Sequence, residues 1–101
     1  MAWFIKRETF VWPPERLRPH LQAHRQWVRS LQEQGHHLSS GYLVDERDQP
    51  GGGGFLVLEA KNYAEAHALA STDPMVCSGG VAWELHRWVP VVGDLAVRGG
   101  D

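Results

Sequence analysis

Cysteine is almost missing from this chain: among 101 residues there is one, Cys77. No intrachain disulfide can form, which suits a reducing cytoplasm, the expected location. Long apolar runs are missing too. Nothing approaches the roughly 20 apolar residues of a membrane span, so no membrane role is expected. The first residues, MAWFIKRETF, carry charge inside their apolar stretch and are not expected to be a signal peptide. Nor is there an excess of positive charge. Ten Lys and Arg against twelve Asp and Glu give a formal net charge of −2, which leaves nothing spare to neutralise phosphates and speaks against nucleic acid as a partner. Arg16, Arg18, Arg25 and Arg29 gather in one segment, but with Glu15 and Glu33 beside them they read as a solvated helix face.

Two site motifs are also lacking. The four glycines at 51–54 are not followed by Lys-Ser/Thr and lead into a strand, so they are no phosphate loop. There is no HExxH. His20 and His24 stand four apart, a metal-ligand spacing, yet no Cys or carboxylate supplies a convincing third donor, and His36 and His37 point to opposite faces of a strand. No metal and no cofactor is expected.

What is present fits one domain, with 43% apolar and 22% charged residues. Residues 3–11 (WFIKRETFV) are aromatic and β-branched enough for a strand. Pro13 and Pro14 end it, and a helix follows to about Gln34 with Gly35 at its C-terminal cap. Pro19 leaves two possibilities for the start of that helix: at Pro19 itself, or near Pro14 with a kink. Residues 36–44 read as a second strand, 45–54 as a flexible, exposed connector, and 55–60 as a third strand. Asn62 with Glu65 forms a capping pair for a second helix to about Ser71. Thr72 or Asp73 caps a short turn opened by Pro74. Residues 81–89 alternate as a last strand, with Val81, Trp83 and Leu85 on one face. The domain is expected over 1–92, and a loose tail over 93–101.

The order is βαββαβ, the pattern of an α+β, ferredoxin-like sandwich with an antiparallel sheet and two helices on one face. Five tryptophans are many for this length. A bare sheet face carrying large side chains would pair with a second copy, which predicts a homodimer through the sheet.

The first helix holds the main candidate for chemistry. Leu17, Leu21, Val28 and Leu31 form its apolar stripe, and the missing member is His24. A polar ring on a packing face needs partners. One reading is a structural histidine bonded to a main-chain carbonyl; the other is a proton-transfer group. Cys77, on the turn after Asp73, is a small thiol of ordinary kind, and no nucleophile stands out.

The run HLQAHRQWVRSLQEQGHHLSSGYL and the later stretch GGFLVLEAKNYAEAHALASTDPMVCSGGVAWELHRW resemble the YciI-like (YCII-related) proteins. The likeness spans about residues 3–90 and lies in the order and spacing of short motifs. It implies a ferredoxin-like dimer forming an α/β-barrel-like pair, with a helix histidine and the aspartate of an Asp-Pro turn as the active pair. On this chain these are His24 and Asp73. Two positions depart from the family pattern: Gly41-Tyr42 stands where Gly-Pro is common, and Met75 where an aromatic is common. The resemblance points to a small-molecule ligand and to acid/base chemistry (isomerase- or lyase-like) on a small organic acid or aromatic ring, with Ser40, Trp27 and Met75 lining the substrate site. The competing reading is a non-catalytic dimer that binds a small ligand or a protein partner. Asp73 as a plain helix cap is compatible with either.

Overall fold

The computed structural model describes residues 1–95. Its elements are β1 (Ala2–Phe10), α1 (Pro14–Glu33), β2 (Leu38–Val44), β3 (Pro50–Ala60), α2 (Tyr63–Ala70), α3 (Pro74–Ser78) and β4 (Val81–Trp88). The strands lie in the order β2-β3-β1-β4, every neighbouring pair antiparallel. This is the ferredoxin-like α+β arrangement the element order predicts.

Strand alternation sets the layers. In β1, Ala2, Phe4, Lys6 and Glu8 are buried, while Trp3 and Ile5 turn to the opposite face and are half-buried. The main core joins Ala2 and Phe4 to Leu31, Leu38, Leu56, Leu58, Ala60, Ala66 and Leu85. A smaller cluster joins Leu17, Met75 and Val81, with Trp12 against it. Along α1 the buried residues are Leu17, His24 and Leu31. His24 therefore falls midway between a member of the small cluster and a member of the main one. A polar seam separates the two apolar clusters.

The helix starts at Pro14, so Pro19 lies inside it, without the N–H that the Glu15 carbonyl would otherwise receive. Leu21, counted in the apolar stripe from sequence, is 39% exposed. The helix touches the sheet along the line of Leu17, His24 and Leu31, which leaves Leu21 at the wall of an open cleft. The second strand begins at Leu38 rather than His36, although the His37 carbonyl already accepts from Glu59 N–H at 2.9 Å.

The connector expected over 45–54 is half turn and half strand. Asp45 closes the turn by accepting from the N–H groups of Arg47 (2.8 Å) and Gln49 (3.0 Å). From Pro50 onward the glycines are extended and belong to β3. Packing explains them: a Cβ on Gly53, which has φ +93°, would sit 2.0 Å from the Glu8 carbonyl oxygen. Glycine is what lets β3 pass this close to β1. The register of β2 on β3 shifts between Tyr42 and Val44.

The sheet face away from the helices carries Trp3, Ile5, Phe55, Val57 and Trp88, around a cavity of about 740 Å³ that Leu95 also lines. Leu95 belongs to the segment expected as a loose tail. Residues 96–101 of that segment lie outside the described residues.

Gly53→Ala combines a backbone clash with a conformation that L side chains avoid, and should lower unfolding stability by about 2 kcal/mol or more. Gly41→Ala meets nothing within 4 Å and serves as the control, expected to stay near wild type in urea denaturation. Equal midpoints for the two variants would refute this account of the glycine run.

Candidate active site

Asp73 is placed by local sequence. Pro74 fixes the first turn of α3, and the residue before it takes an extended conformation (φ −60°, ψ 125°) as the N-cap. Its Oδ1 accepts from Met75 N–H at 2.9 Å. The same oxygen lies 2.8 Å from His24 Nδ1. The other oxygen, Oδ2, accepts from Lys6 Nζ. Lys6 Nζ also stands 2.9 Å from Glu8 Oε1, an ion pair without hydrogen-bond alignment. On the far side of the ring, His24 Nε2 lies 2.7 Å from Ser40 Oγ.

These contacts make one chain of groups: Glu8, Lys6, Asp73, His24, Ser40. Asp73 is 0% exposed and Lys6 1%, so the charges meet out of water, where they interact strongly and where losing a partner is costly. Burial by itself would raise the Asp73 pKa. The hydrogen bond from His24, the positive charge of Lys6 and the hydrogen bond from its ammonium outweigh that, as does the charge available on His24, and the carboxyl is held below its ordinary value. An ionised Asp73 assigns the proton of a neutral His24 to Nδ1. Nε2 then presents its lone pair to the Ser40 hydroxyl, which donates.

The open side of this chain is a cleft of about 660 Å³ between α1 and the β2–β3 side of the sheet. Leu21, His24, Arg25 and Val28 of α1 face Ser40, Gly41, Tyr42 and Phe55, with Lys6, Glu8 and Met75 also in its lining. That size suits a small organic molecule.

The residues singled out from sequence separate clearly. His24, Asp73 and Ser40 meet in one hydrogen-bonded line, and Met75 lines the cleft while its N–H holds Asp73. Trp27 is not among the cleft-lining residues. Its ring packs 5.6 Å from that of His24, and its Nε1 donates to Thr72 Oγ1 at 2.9 Å. His20 turns toward Trp12, with ring centroids 5.9 Å apart. Lys6 and Glu8 were missed. Their signal lay in the period of the first strand: if Ala2 and Phe4 face inward, so do positions 6 and 8. Two charges at inward positions of a central strand mark a buried polar site.

The fold is a ferredoxin-like sandwich with a histidine–aspartate contact beside a cleft. The YCII-related domain family model matches residues 1–88, and the chain belongs to that family. Among solved structures it is similar to 5-chloro-2-hydroxyhydroquinone dehydrochlorinase from Burkholderia phenoliruptrix in complex with 2,5-dihydroxybenzoquinone. The TM-score is 0.64 at 22% identity, over 85% of this chain and 92% of that one. No curated protein sequence matches the chain.

The folded Asp73 carboxyl titrates below the unfolded one, so its ionised form contributes stability above the ordinary carboxylate pKa of 3.8. That contribution is lost as the pH falls through the folded value. Thermal denaturation from pH 6 down to pH 2 should therefore show a steeper loss for wild type than for Asp73→Asn. Parallel curves would mean that the carboxylate is not held ionised by Lys6 and His24.

Proposed function

We propose that the protein is a small-molecule enzyme in which His24 moves a proton and Asp73 orients it. The observation that carries this reading is the buried Asp73 carboxylate on Nδ1 of His24, which leaves Nε2 directed at the cleft. A base so placed takes a proton from a bound substrate at Nε2 and returns it at another atom, and the carboxylate stabilises the imidazolium formed in between. Lys6 acts through Asp73, which it keeps ionised and fixed in plane. Ser40 turns its hydroxyl from the base to the substrate as the substrate enters.

Isomerisation, tautomerisation or elimination on a small organic acid or hydroxylated ring are the reactions this supports. The hydroquinone-type chemistry of the related dehydrochlorinase agrees with that class. The test is uptake of solvent deuterium at ring carbon by a hydroxyhydroquinone probe. His24→Ala should slow the exchange about 10²- to 10⁴-fold, and Asp73→Asn should slow it with the fold intact. Exchange at the wild-type rate in a folded His24→Ala protein would end the proposal.

We also infer a homodimer through the open sheet face, as the family resemblance implies, and a cytoplasmic location, in keeping with the lone cysteine. Among the described residues no helix is long and apolar enough to cross a membrane. Trp3, Ile5, Phe55, Val57 and Trp88 are large, half-buried residues on the sheet face opposite α1, α2 and α3. Val57→Glu, at the centre of that face, should convert a dimer to a monomer in sedimentation. A wild-type protein already monomeric at high concentration would refute the inference.

A further inference from the structure

We propose that Ser40 is a nucleophile and that this site transfers acyl groups from small esters. The inference rests on the reading of His24 and Asp73 given above and adds a reaction that proton transfer alone does not contain. Three observations carry it.

The first is the geometry. Ser40 Oγ lies 2.7 Å from His24 Nε2, and His24 Nδ1 lies 2.8 Å from Asp73 Oδ1. A hydroxyl on a base that a buried carboxylate orients is the arrangement that activates a serine, whatever the fold or chain order. The second is access. Ser40 is exposed and lines the cleft, so an ester carbonyl can reach its oxygen, while the carboxylate at the other end of the line is sealed from water.

The third is the edge of the sheet. The His37 carbonyl accepts from Glu59 on β3. In an antiparallel ladder a residue's N–H and C=O point the same way, and the direction alternates along the strand. Ser40 and Tyr42 therefore direct their N–H groups away from β3, at the free edge of β2. These are donors of the kind that stabilise an oxyanion next to a nucleophilic serine.

Ser40 Oγ bonds to the acyl carbon as its proton passes to His24 Nε2. The tetrahedral adduct then breaks its bond to the departing alcohol, which takes that proton. Water, deprotonated by the same nitrogen, attacks the acyl-serine, releases the acid and restores the hydroxyl.

The probe is an alkyl fluorophosphonate, which loses fluoride as its phosphorus bonds to the attacking oxygen. Mass spectrometry of the wild-type protein should find one phosphonyl group, mapped to Ser40, and none in Ser40→Ala or His24→Ala. Hydrolysis of p-nitrophenyl acetate should fall about 10³-fold or more in Ser40→Ala. Circular dichroism confirms that each variant is folded. No adduct on the wild-type protein, an adduct on His24 or Cys77 instead, or equal labelling of Ser40 in His24→Ala would each overturn the proposal. The two readings of the site separate by readout in the wild-type protein: deuterium exchange without a Ser40 adduct overturns acyl transfer and leaves proton transfer standing, and an adduct on Ser40 without exchange does the reverse.

Discussion

Everything at the centre of this fold depends on the ionised carboxylate of Asp73 being buried. It is held by three donors from three parts of the chain: the imidazole of α1, the ammonium of β1 and the first free N–H of α3. Removing a carboxylate from water costs several kcal/mol unless its lone pairs are filled by well-placed donors. Here they are, and the partners are in turn fixed by it. One residue caps the start of α3, sets the tautomer of His24 and helps to anchor a buried lysine.

The polar seam also explains why the apolar interior comes in two pieces. The main cluster lies under Leu31 of α1 and the small one under Leu17, with His24 midway between them. A leucine at position 24 would join the clusters and fill the floor of the cleft. The imidazole keeps that floor polar. Continuous apolar packing is given up here for a hydrogen-bonded polar line.

Much of this was legible in the sequence, for reasons that differ from residue to residue. The element order followed from period-2 and period-3.6 patterns and from the caps at Asn62, Asp73 and Gly35, because those signals are local. His24 stood out as the wrong residue on an apolar stripe. Asp73 was visible as a cap, and family resemblance paired it with His24. The glycine run misled: a loop and a strand squeezed against its neighbour both ask for glycine, and only the distance to the Glu8 carbonyl separates them. Lys6 was passed over because a lysine in a strand is ordinarily solvated, and its partner lies 67 residues away in the chain. Trp27 was expected to line the substrate site, and its indole N–H donates to Thr72 while its ring packs against that of His24.

The shared lysine has a consequence for how such a sequence changes over time. Lys6 balances two carboxylates at once, so replacing it alone takes the neighbouring positive charge from both Glu8 and Asp73, which are buried. Replacing the lysine first therefore leads through a destabilised intermediate, and neutral drift has no easy route between charged and uncharged versions of the seam. Lineages that carry it should keep the trio as a block or lose it as a block, a linked inheritance set by electrostatics alone.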